Sequence, residues 1–146
     1  MNRASQVPPG TVPLANWGVR AVGAVADAVV IGVATYVIDL AAGIRARTGY
    51  LYLDLAVAFA YSFALVGFRG HTLGMAWMRL DAVDAVEGRA PIGPARAAVR
   101  SLSAGLLTII PVTAFLDLLW PLWDSRNQTL HDKAAGTVVL DRKSVV

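Results

Sequence analysis

Between Trp17 and Ile44 the chain runs for 28 residues with three charged side chains, Arg20, Asp27 and Asp39. A helix of about 20 apolar residues crosses a bilayer core, so this run is long enough to span. A second run, Tyr50 to Phe68, carries one charge, Asp54 near its start. Tyr50 and Tyr52 stand where an aromatic belt is expected at the interface. The link Arg45–Gly49 is short, which makes the two helices antiparallel neighbours. Neither run shows the polar stripe of a soluble amphipathic helix, and this argues against a soluble bundle.

Composition agrees. Of 146 residues, 56% are hydrophobic and 16% charged, against about 25% charged in soluble domains. That excludes a disordered chain and a soluble nucleic-acid binder. The net charge of +3 therefore reads as cationic flanks of membrane segments. Cysteine is absent, so disulfides, thiolate nucleophiles and cysteine-ligated zinc are excluded.

Residues 1–16 hold Pro8, Pro9 and Pro13 and read as a flexible tail at the membrane surface. The apolar run after them is too long for the h-region of a signal peptide, so it is expected to remain as a membrane helix. Residues 17–140 form the membrane domain and 141–146 a C-terminal tail. The predicted fold is an all-α integral membrane protein with two transmembrane helices. A third apolar segment, about Ala97–Trp123, is broken by Pro111 because proline removes a backbone hydrogen bond. It either crosses once or re-enters on one side. Its halves, about 22 and 18 Å long, are each too short for a ~30 Å core.

The stretch Arg69–Arg96 is the longest polar interval. Trp77–Asp84 partly alternates and Glu87-Gly88-Arg89 offers a turn, which suggests a short hairpin or an interfacial amphipathic segment. Thr137–Leu140 is strand-like as well. Pairing of the two would put loop and tail on one side of the membrane. Charge points the same way. A crossing third segment splits the 13 Lys and Arg residues seven to six, and re-entry splits them eleven to two. The positive-inside rule expects the asymmetric split. The reading therefore leans to re-entry with both termini cytoplasmic, in a membrane that the chain crosses more than once.

Asp27 is the charge least expected in lipid. Arg20, seven residues earlier, turns about 700° to nearly the same face and lies about 10.5 Å along the axis. Arg20 can snorkel to water, whereas Asp27 cannot, and a central Asp costs about 2.5–3.5 kcal/mol on insertion scales. Asp27 is expected to pair with Arg20, with a cationic or hydroxyl group of another segment, or as a packing staple with Arg96 or Arg100. An ion or proton site, a partner contact, or simple protonation are the alternatives. Asp39 and Asp54 are expected to reach water near the helix ends. Asp117 and Asp124 would line a polar cleft if the third segment re-enters. Small residues crowd the first run from Ala21 to Ala34, as at close helix contacts in lipid.

His71 and His131 fall far below a zinc signal, and no phosphate-loop or nucleophile-elbow motif is present. No catalytic residue, metal or cofactor is expected, and the chain is read as not an enzyme. Thr129 and Asp132 fit a capping box for a short helix from Leu130 to Gly136. Functionally, Asp132 would instead pair with an arginine.

Several of these residues resemble a known family. Trp17-Gly18-Val19-Arg20 followed by Asp27 resembles the first helix of the RDD family of small bacterial membrane proteins, named for one arginine and two aspartates. His71-Thr72-Leu73-Gly74 resembles its T-x-G-K element, with Met75 where lysine is usual. Val83-Asp84 and Glu87-Gly88-Arg89 resemble the family's stretch after that element. Arg96 and Arg100 fall where the family has arginine, and Arg126–Val139 resembles its closing motif. The resemblance implies that Arg20, Asp27 and Asp132 are the family's Arg and two Asp, with Arg96, Arg100, Asp117 and His131 as secondary candidates. It also implies transport of unidentified ligands, including sodium–proton antiport in some members. The expected function is a non-enzymatic accessory or scaffold protein of a membrane complex. The alternative is cation or proton transport by an oligomer using Asp27. Expected partners are the lipid bilayer and a homo-oligomer or larger membrane complex, with no nucleic acid.

Overall fold

The computed structural model describes residues 13–43 and 47–144. Expectations for residues 1–12, 44–46 and 145–146 lie outside the described residues. Helix α1 spans Trp17–Ala42 and α2 spans Arg47–Arg69. Both are apolar enough to cross a membrane, and both leave most of their surface uncovered. Asn16 caps α1 by accepting the Val19 N–H. Gly43, at φ 64°, ends it in the left-handed region that suits glycine.

A short helix α3, Leu73–Trp77, follows, so Trp77 closes a helix and does not begin a strand. Strand β1, Leu80–Asp84, pairs antiparallel with β2, Thr137–Asp141, in the register Leu80↔Asp141. The loop stretch does not form a local hairpin; it pairs with the strand-like run of the tail, the pairing that the sequence raises. The turn after β1 closes on itself through Asp84 N–H to the Arg89 carbonyl, 3.0 Å.

Pro13–Asn16, expected as part of a flexible tail, is held in place. Leu14 bridges Leu140, Ala15 donates to the Val139 carbonyl at 2.9 Å, and Asp141 donates to Pro13. β2 thereby has a partner on each edge, and Ala15, Leu80, Ala82 and Val139 form its core with Val66 and Ala97.

Helix α4, Gly93–Ile109, packs chiefly on α2. Ile110 is extended, and α5, Pro111–Leu119, starts from Pro111. Pro111 has no N–H for the Leu107 carbonyl, and the Thr113 hydroxyl donates to that carbonyl instead, at 2.6 Å. A 3-10 turn, Trp120–Leu122, leads to α6, Leu130–Ala135.

α3 lies against α1 where Gly23 meets Gly74. A Cβ at Gly74 would run into the Gly23 carbonyl and stand 2.8 Å from the Asp27 carboxyl carbon. Overpacking of this kind costs about 1–3 kcal/mol. We expect Gly74→Ala to lower the melting temperature in detergent by several degrees. Gly32→Ala, which meets nothing within 4 Å, should not lower it.

Candidate functional site: two buried carboxylates and the cavity between them

Asp132 sits at the third position of α6 and is 0% exposed. Its place is fixed locally by the capping box: the Thr129 hydroxyl accepts the Asp132 N–H, and the Asp132 carboxylate accepts the Thr129 N–H, both at 3.2 Å. The cap and the ionic reading are therefore both realised by one side chain. Arg20 of α1 pairs with one carboxylate oxygen. Arg100 of α4 meets the other, through Nε at 3.0 Å and Nη2 at 2.9 Å. Arg20 also donates to the Asn127 carbonyl at 3.0 Å. His131 Nε2 stands 3.6 Å from Asp132, and His131 Nδ1 faces Asp117 at 2.7 Å.

Burial alone would push the Asp132 carboxyl upward, but Arg20, Arg100 and His131 hold it well below the usual carboxylate range. Charge-assisted, bidentate-type arginine contacts are the strong form of this interaction.

Asp27 does not pair with arginine. Arg20 and Arg100 are committed to Asp132, two turns away along α1. Asp27 instead accepts hydroxyls from Tyr61 at 2.6 Å and Thr72 at 2.5 Å, and the Gly74 N–H at 2.7 Å. Tyr61 belongs to α2, Thr72 caps α3 and Gly74 lies within it, so one carboxylate joins three helices. As the cap of α3, Thr72 accepts the Met75 N–H at 3.2 Å. Met75 is buried in the core.

Arg96 is not Asp27's partner either. It pairs with Asp84 at 2.6 Å and donates to the Ala135 and Gly136 carbonyls at the end of α6. Burial works against the charged form of Asp84, but the Glu87 and Val86 N–H groups and Arg96 hold its carboxyl below the usual range. Asp124 pairs with Lys133 and accepts the Arg126 and Gln128 N–H groups. It therefore braces a turn, while Asp117 faces the cavity.

Asp39, expected in water, is 7% exposed and bonded to the Tyr50 hydroxyl. Asp54 is exposed and accepts the Thr35 hydroxyl at 3.0 Å. Among the described residues, no group of His, Asp and Glu has metal-site geometry.

A cavity of about 480 Å³ runs between α1, α2, α4 and α5. Arg20, Asp27, Asp54, Arg100, Asp117 and His131 reach its wall among mostly apolar residues. α1 and α5 scarcely pack together, meeting where the Trp17 indole N–H donates to the Leu118 carbonyl at 2.9 Å. Sequence reasoning missed Tyr61, which carries no signal without the fold. Thr72 and Asp84 stood in the stretches that resemble the family, but their roles as partners of Asp27 and Arg96 were not read.

Removing one member of a buried ion cluster costs about 3–5 kcal/mol. A depressed folded-state pKa contributes stability above the unfolded value of about 3.9 and loses it as pH falls below that. We expect Asp132→Asn to melt far below wild type in detergent. The gap should persist from pH 8 to about 5 and narrow only under acid.

The chain matches the RDD family over residues 14–136. It is 36% identical over 74 residues to the Proline-rich antigen of Mycobacterium leprae (strain TN), which is 51% of this chain and 28% of that protein. It is also 36% identical over 72 residues to the Proline-rich antigen homolog of Mycobacterium tuberculosis (strain ATCC 25618 / H37Rv), 49% of this chain and 28% of that protein. The aligned stretches thus span little more than a quarter of the length of these curated relatives. No solved structure matches. With the match covering most of the chain and two apolar helices able to span a membrane, this protein belongs to the RDD family of membrane-associated proteins.

Proposed function

We propose that this chain is a non-enzymatic accessory protein of a bacterial plasma-membrane complex, a compact scaffold that larger membrane partners dock on. The observation that carries this reading is the state of Asp27: three donors from α2 and the start of α3 occupy its two oxygens. A carboxylate so occupied fastens helices together and is poorly placed to pick up and release a passing ion. The exposed apolar side chains along α1, among them Val22, Val25, Val29 and Val33, would face lipid or a partner helix.

In this reading α1 and α2 cross the membrane, and the α4–α5 pair enters and returns. Arg100 of α4 and Asp117 of α5 both reach the His131-Asp132 pair of α6, which supports a hairpin over a crossing. The β ribbon, the turn of Asp124 and both ends of the described chain then share the cytoplasmic side with most of the arginines. The chain has no native cysteine, so single cysteines report topology directly. A cysteine at Val112 should stay unlabelled by an impermeant maleimide from the periplasm. One at Glu87 should label only in inverted vesicles. Periplasmic labelling at either position would reverse the assignment.

The cavity supports a second reading, cation or proton transport. Asp54, Asp27 and the Asp117–His131 pair line one space within a single chain, so a pathway need not be built from an oligomer. The two readings separate in inverted vesicles from a host lacking its own antiporters. The scaffold reading expects no cation–proton exchange above background for wild type or Asp27→Asn. Exchange that disappears in Asp27→Asn at equal expression would replace it with transport.

A further inference from the structure

The cavity that the transport reading invokes also has the lining of a binding site. Its two arginines, Arg20 and Arg100, are already engaged with Asp132, so they offer little to an incoming anion. Its carboxylates differ in how far they are occupied. Asp27 accepts three hydrogen bonds and Asp117 faces His131. Asp54 is exposed and accepts a hydrogen bond from the Thr35 hydroxyl.

Asp54 lies seven residues into α2, about 10.5 Å from its start. An exposed carboxylate keeps acceptor lone pairs that a cationic partner can take. Phe59, about 7.5 Å further along the helix, stacks on Phe63 at 5.6 Å, and its own ring lines the cavity with Leu55 and Ile31. Ser101, 5% exposed, lines the same wall with a hydroxyl that has no hydrogen-bond partner. Gly105 leaves open space beside it. The volume of about 480 Å³ falls in the range of small-molecule pockets, ~300–1,000 Å³.

We propose that this cavity binds a hydrophobic organic monocation, its charge at Asp54 and its apolar body along Phe59, Leu55 and Ile31. The wall is mostly apolar between its polar groups, which suits a lipophilic cation that partitions into the bilayer and enters where α1 and α5 scarcely pack. Aromatic rings attract such cations as well as sheltering them. The site requires neither a docked partner nor transport, so it stands apart from both readings above.

The test is equilibrium binding of radiolabelled tetraphenylphosphonium to the purified full chain in detergent. Saturable binding is expected, uncompeted by uncharged triphenylphosphine oxide. Asp54→Asn keeps the acceptor for Thr35 and should weaken binding about tenfold or more. Gly105→Phe fills the cavity from a position with free space and should abolish binding with Asp54 intact. An absence of saturable binding to wild type would overturn the proposal, as would unchanged affinity in Gly105→Phe. Unchanged affinity in a monodisperse Asp54→Asn would do the same. If Asp54→Asn does not remain monodisperse, the Gly105→Phe result decides.

Discussion

Everything at the ribbon end of this protein depends on one carboxylate being surrounded by cations. Asp132 is fully enclosed, and an isolated charge cannot be placed there without several kcal/mol of cost. Arg20 from the first helix and Arg100 from the fourth remove that cost only if α1, α4 and α6 stand in one arrangement. The ion cluster therefore acts as a specification of geometry. Any packing of the helices that separates these three groups leaves a buried charge unpaired.

The sheet at this end has the same logic with backbone groups. β2 alone would expose two edges with unpaired backbone groups. β1 covers one edge and Pro13–Ala15 the other. The hairpin of α4 and α5 is handled likewise: where Pro111 orphans a carbonyl, Thr113 supplies the donor. In an apolar surrounding each such group must find its partner inside the chain, which is why the irregular points of this fold coincide with its side-chain hydrogen bonds.

The spanning helices were plain in the sequence, because 20-residue apolar runs have few alternatives. Pro111 marked the break in the third segment, and Thr129 with Gly136 marked both ends of α6. Arg20, Asp27 and Asp132 stood out by resemblance. The kinds of partner were among those expected, an arginine for Asp132 and a hydroxyl for Asp27, but which residues supply them was not legible. Arg20 and Asp27 share a helix face, which suggested a pair, yet each is drawn to a segment more than 40 residues away. Asp39 looked like a helix-end residue in water, but the neighbouring helix folds Tyr50 over it. Periodicity reports which face a residue occupies. It carries no information on what another helix brings to that face, and for single charges in apolar helices that second fact decides the role.

The separation of 112 residues between Arg20 and Asp132 has a consequence for biogenesis. The ribosome delivers α1 well before α6 and β2. Until α6 emerges, Arg20 and the edge of Pro13–Ala15 lack the partners they have in the fold. The inserted helices are thus an open clasp, and the segment holding Asp132 and β2 is the piece that shuts it. A nascent chain arrested before residue 132 would hold both long apolar helices and still be unfastened, with Arg20 lacking its carboxylate.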